Sequence, residues 1–171
     1  MSSNNLLEEV ERFKEEYYKT NRKNIFFKKS QKQDFARKVS DNFNLNELLE
    51  KTIYIDSQTN RVFIDYNVFK LYANADTYEL IKNYTKNIFS NFQNKRFEFH
   101  IDINGFTISA AERYKSFFEM ILSEFMISNE DIITNIYIYN SPSIIDTLMG
   151  FFKNILTTNI KTKIIIVPKS I

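Results

Sequence analysis

Phe97-Glu-Phe-His-Ile-Asp-Ile103 alternates apolar and polar side chains and stops at Asn104-Gly105, the pattern of a half-buried strand that runs into a turn. Further along, Ile136-Tyr-Ile-Tyr139 leads into Asn140-Ser141-Pro142, and Lys163-Ile-Ile-Ile-Val167 ends at Pro168. The two stretches between these strands have helical spacing and crossover length. Strands alternating with such helices predict parallel pairing through right-handed connections. The fold class is therefore α/β: a mixed, largely parallel sheet with helices packed on it.

The helix starts are written in the same region. Ser109 with Glu112 reads as a capping box that opens a helix to about Phe125, with Tyr114, Phe117 or Phe118, Ile121 or Leu122, and Phe125 turned inward. Ser141-Pro142 combines a hydroxyl cap with proline at the first helical position, where its missing N–H costs nothing. Ile145, Leu148, Phe152 and Ile155 supply the inner face of that helix.

Toward the N-terminus, Asp76 with Glu79 resembles another capping box, opening a helix to about Phe92 that buries Ile81, Tyr84, Ile88 and Phe92. Before it, Thr52-Ile-Tyr-Ile55 and Arg61-Val-Phe-Ile64 flank Asp-Ser-Gln-Thr-Asn and read as a β-hairpin at one edge of the sheet. Residues 5–19 form an amphipathic helix with Leu6, Val10, Phe13 and Tyr17 on one face. Phe35, Val39 and Phe43 mark a second helix near 31–43, and Asn46 to Lys51 adds a turn. The organisation is an N-terminal helical segment, 1–51, packed on an α/β domain, 52–171.

Composition narrows the chemistry. The chain has 171 residues, one histidine, no cysteine, two glycines and a formal charge of +2. It is long enough for one domain with a full core. Disulfides, thiolate nucleophiles and Cys-ligated metals are excluded, and a Gly-rich phosphate loop is absent. Heavy use of Asn, Ile, Lys, Phe and Tyr follows A/T-rich codons and points to a low-GC genome: a microbe, a protist or a large DNA virus. No run of about 18 apolar residues suggests a membrane span. The polar start Met-Ser-Ser-Asn-Asn carries no signal-peptide pattern. A cytoplasmic protein is expected.

Few residues carry candidate chemistry. His100 lies between Glu98 and Asp102 on the polar side of its strand, either as a solvent-side polar row or as a metal or proton-relay group, with the first favoured. Asp102, at the carboxyl end of a strand, is where ligands bind in open α/β sheets, although an Asp before a turn more often caps backbone N–H groups. The basic stretch from Lys19 to Lys38 encloses Ile25-Phe26-Phe27. Arg22, Lys23, Lys28 and Lys29 make it a candidate membrane or anion surface, weighed against a solvated connector. No acid–base or nucleophile set can be assembled, which argues for a non-enzymatic protein without cofactor or metal.

Ile101-Asp-Ile-Asn-Gly-Phe-Thr-Ile-Ser109, a helix, Ile136-Tyr-Ile-Tyr-Asn-Ser-Pro142, a second helix and Lys163-Ile-Ile-Ile166 together resemble the CRAL-TRIO lipid-binding domain over about residues 97–167. The resemblance implies a cavity between sheet and helices that takes one lipid or another long apolar molecule. It also implies headgroup contacts at Asp131 and Lys163, while Asp102 and Asn140 are candidate structural turn residues. Asp131 stands where the family has glutamate, and Asn129-Glu130 replaces its Tyr-Pro. The family continues beyond the last strand with a segment that closes the cavity, whereas this chain stops at Ile171. A pocket filled by side chains or covered by a partner is the corresponding expectation. The Ile101–Phe106 strand end is also similar to that of STAS domains, with Ser109 or Thr107 nearest their phosphorylated serine, but the Asp-Ser-Ser/Ala-Gly signature is missing.

Two functions follow. One is binding of a lipid or apolar small molecule, at a membrane surface reached through the basic stretch. The other is a structural or protein-interaction role, as in a large viral particle, with the pocket filled by Phe89, Phe117, Phe118 and Phe152. A nucleic-acid partner is not expected from so small a net charge.

Overall fold

The computed structural model describes residues 4–21, 28–90, 92, 95–143 and 145–168. Three helices come first: α1 (Asn4–Thr20), α2 (Lys28–Asn42) and α3 (Leu45–Thr52). A hairpin of β1 (Ile53–Asp56) and β2 (Arg61–Asp65) follows, then α4 (Tyr66–Tyr72), α5 (Tyr78–Ser90) and β3 (Phe97–Asp102). Helices α6 (Ile108–Arg113) and α7 (Lys115–Ile121) and a π-helical turn over Leu122–Ile127 lead to β4 (Ile133–Tyr139). The described chain closes with α8 (Ile145–Phe152), α9 (Thr158–Lys163) and β5 (Ile164–Ile166).

The five strands form one mixed α/β sheet in sequential order, β1-β2-β3-β4-β5, antiparallel in the hairpin and parallel from β2 onward. As expected, the hairpin lies at one edge. A right-handed crossover to the adjacent strand always lands on the same face, and three in succession put the crossover helices on one face of the sheet. The other face is left without a helical layer. That arrangement departs from the usual parallel sheet, which is covered on both sides.

Several boundaries differ from the sequence expectation, each for a local reason. The helix after β3 is capped by Thr107, whose Oγ1 accepts from the Ala110 N–H at 3.2 Å, two residues ahead of the expected Ser109. It is also broken. Tyr114 sits at φ −100°, ψ 10° between α6 and α7, and its ring is buried against Phe69 and Phe118. Ahead of α5, Asn74 rather than Asp76 organises the turn. Its Oδ1 accepts from the Asp76 N–H at 2.9 Å, and the Asp76 carboxylate faces Arg37 at 3.0 Å. Helix α8 begins at Ile145, after a turn in which the Ile145 N–H bonds to the Pro142 carbonyl. The expected last strand is shorter at its start, because Lys163 closes α9, where the Ile164 N–H caps the Lys161 carbonyl.

Two apolar cores result. One joins α1–α4 to α6 and α7 through Val10, Val39, Leu48, Phe69, Tyr72 and Ala111. The other lies under the sheet, around Val62, Phe97, Phe99, Ile133, Ile136 and Ile160. The predicted inner faces of the helices are in these cores: Leu6, Val10 and Tyr17 of α1, Phe35 and Val39 of α2, and Ile81 and Ile88 of α5 are all buried.

Candidate functional site

Between the helix-covered face of the sheet and its helices lies a cavity of about 240 Å³. Its floor is Val62 and Ile64 of β2, Phe99 and Ile101 of β3, Ile136 and Ile138 of β4, and Ile164 of β5. These are alternate residues, as the two-residue period of a strand requires. Its roof comes from α4, α5, α7, the π-helical turn and α8, through residues such as Phe69, Phe89, Phe117, Phe125 and Leu148. Phe89, Phe117, Phe118 and Phe152 line this space and leave it open between them.

The cavity wall is apolar almost throughout. Thr52 and Thr85 bring hydroxyls, but both are spent elsewhere: Thr52 Oγ1 donates to the Leu48 carbonyl at 2.8 Å, and Thr85 Oγ1 to the Ile81 carbonyl at 2.7 Å. An apolar cavity of about 150 Å³ already stays dry and takes benzene. The lining here offers almost none of the two to four polar partners that a bound water needs.

The residues singled out from the sequence fall at opposite ends of the strands. At the carboxyl end, Asp102 Oδ1 accepts from the Asn104 N–H at 2.8 Å and Oδ2 from Asn140 Nδ2 at 3.0 Å. Asn140 adopts a positive φ of 52°. The pair ties the β3 turn to the end of β4. At the amino end, Lys163 Nζ donates to the Glu130 carbonyl, and Thr157 Oγ1 donates to Glu130 Oε2 at 2.7 Å. Both ends of α9 are thus fastened to the turn before β4. Asp131 is the next residue in that turn and is exposed. Asp131 and Lys163 therefore share one corner of the molecule, and neither lines the cavity. Of the basic candidates, Arg22 and Lys23 lie outside the described residues, Lys28 begins α2, and Lys29 is exposed on it.

The other face of the sheet carries a feature that the alternation pattern alone did not single out. Tyr54, Phe63, His100, Tyr137 and Ile165 occupy one row, in register across all five strands. The rings stack in sequence: Tyr54 on Phe63 at 4.9 Å, Phe63 on His100 at 5.0 Å, and His100 on Tyr137 at 4.9 Å, with interplanar angles of 8°, 27° and 21°. Rings so close and so nearly parallel stand upright, their edges toward solvent. His100 Nδ1 meets Tyr139 Oη at 2.7 Å and its Nε2 lies 3.4 Å from Glu98. Glu98 also reaches Arg61 at 3.3 Å and Asn135 at 3.5 Å. Partial burial pushes the Glu98 carboxyl up, but hydrogen bonds from Asn135, His100 and Arg61 outweigh it and hold the group below its ordinary value. The polar row expected around His100 is present, with aromatic neighbours on both sides. Among the described residues no three His, Asp or Glu side chains cluster closely enough to hold a metal ion.

Among the described residues no helix is long and apolar enough to cross a membrane. No protein-family model matches the chain, and no curated protein matches it.

Proposed function

We propose that this protein is a binding module that encloses one apolar small molecule, or the hydrocarbon part of an amphiphile, between its sheet and its helices. The observation that carries the reading is the cavity of about 240 Å³ walled by Ile, Leu, Val, Phe and Met. Burial of a hydrocarbon there gains roughly 25 cal/mol per Å² of apolar surface. The space is at the low end for small-molecule pockets, roughly 300–1,000 Å³, so the occupant is a single short chain or a compact ring system rather than a two-chain lipid. The resemblance to CRAL-TRIO domains agrees with this placement of the ligand, although fold alone does not carry function.

The outer face supports the same choice. Its upright rings offer edges rather than faces, so they make a poor platform for stacking bases. Asp56, Asp65, Glu98 and Asp102 on that side outnumber Arg61, which disfavours a polyanion. A protein-interaction role is the second reading, favoured by the exposed Ile165 and Ile166 on the edge strand β5.

Native mass spectrometry of the purified chain, followed by denaturing release, tests the first reading. A stoichiometric apolar adduct is expected. The variant Leu148→Phe, which adds a ring at the cavity wall, should lose that adduct while keeping or raising Tm. An adduct-free protein whose Tm does not respond to added decan-1-ol would sink the proposal.

A further inference from the structure

The inward face of helix α8 is given over to the cavity. Ile145, Leu148, Met149 and Phe152 recur at helical spacing, and all four line it. Leu148 alone of them is buried, and the other three are partly exposed. Phe152 meets the Phe118 ring edge-on at 6.1 Å, and Phe118 is itself a lining residue. Asp146, the one charged residue of the helix, is exposed and enters none of the ion pairs among the described residues.

The helix has little stability of its own. It has eight residues, below the roughly 12–15 at which an isolated helix is still only marginal in water. Gly150 lies in its interior and is exposed, and a Cβ added there would meet nothing within 4 Å. No close approach requires that glycine, which in a helix interior is less stable than alanine. The roof helix α5 differs on each count. It has 13 residues and no glycine, and it buries Ile88 in the core beside its lining residues Ile81 and Thr85.

The chain is fastened on either side of α8. Before it, Asn140 Nδ2 donates to Asp102 Oδ2 at 3.0 Å, at the end of β3. After it, Thr157 Oγ1 donates to Glu130 Oε2 at 2.7 Å, in the turn before β4. A short helix between two fixed points, with its apolar face on the cavity, can open without disturbing the sheet.

We propose that α8 is the gate of the cavity: it unwinds between these two ties to admit the ligand and re-forms by packing on the ligand's hydrocarbon. This rests on the cavity reading and adds the route in. Ligand exchange is then paced by local opening of α8, and an occupied cavity holds the gate shut.

Hydrogen exchange of the full chain, read by mass spectrometry with and without decan-1-ol, tests this with α5 as the reference. Without ligand, the amides of α8 should exchange at least about tenfold faster than those of α5. Decan-1-ol at about ten times its Kd should slow α8 by about tenfold, because the ligand binds only the closed state. Gly150→Ala, which touches neither cavity nor ligand, should slow both association and dissociation of decan-1-ol about fivefold and leave Kd unchanged. Stopped-flow tyrosine fluorescence reads those rates, since Tyr66 lines the cavity. Suppose instead that α8 exchanges no faster than α5, is unaffected by bound decan-1-ol, or leaves the Gly150→Ala rates at wild-type values. Any of these removes α8 as the gate while the cavity reading stands. If calorimetry finds no decan-1-ol binding to the wild type, the cavity reading fails, and the gate with it.

Discussion

The two faces of the sheet solve the same problem in different ways. Both arise from one alternation, so Ile136 and Tyr137 are neighbours in sequence and face opposite sides. On the outer face, rings one strand apart touch directly, because the strand spacing of about 4.8 Å is close to the stacking distance of aromatic groups. That face is held together within the sheet itself. On the inner face the side chains need helices to complete their packing, and the helices arch over them without closing the space. The packed face is the one without a lid, and the space for a ligand lies under the covered one. Cohesion and binding have been separated onto opposite sides of the same strands.

The comparison predicts unequal costs for adjacent residues. Ile136→Ala removes a side chain that is 2 % exposed and enlarges an existing cavity, so a loss of about 3 kcal/mol is expected in urea unfolding. Tyr137→Ala gives up one stacked neighbour and partial burial, and about 1.5 kcal/mol is expected. Equal losses would mean that the outer face is covered in solution, by a second copy or another partner. Tyr139→Phe is the milder probe. It deletes the 2.7 Å contact with His100 and should cost about 0.5–1 kcal/mol while leaving decan-1-ol binding unchanged, since Tyr139 does not line the cavity.

How much of this was readable in advance depends on the range of the cause. The strand alternation at Phe97–Ile103, the hairpin and the inner faces of α1, α2 and α5 follow from local periodicity, and all are present. The break at Tyr114 does not, because no glycine or proline marks it. It follows packing of that ring against Phe69, a residue from another element. The one-sided winding was also illegible, since a strand's periodicity says nothing of its neighbours' order. Asp131 and Lys163 were placed by resemblance, and the structure brings them to one corner through Glu130. A cavity between sheet and helices was expected from the resemblance, but its size and its lining were not. Both depend on residues drawn from most of the chain, from Thr52 to Ile164.

Acid sensitivity sharpens the contrast at its finest scale. The lowered Glu98 carboxyl belongs to the outer face, whereas the cavity lining contains no carboxylate. In the unfolded chain a glutamate titrates near its ordinary value, about 4.3. As pH falls, the unfolded state therefore binds its proton first, and folding loses the advantage that Asn135, His100 and Arg61 confer on the ionised form. That advantage is complete above about pH 4.5 and disappears as the pH drops through the lower, folded value. Glu98→Gln should be slightly less stable at pH 7 and should show a shallower decline in Tm between about pH 5 and 3 than the wild type. Cavity occupancy by decan-1-ol should raise Tm by the same amount in both proteins across that window. An occupancy effect that changed with Glu98 would mean that the two faces communicate through the strands, and their separation would have to be abandoned.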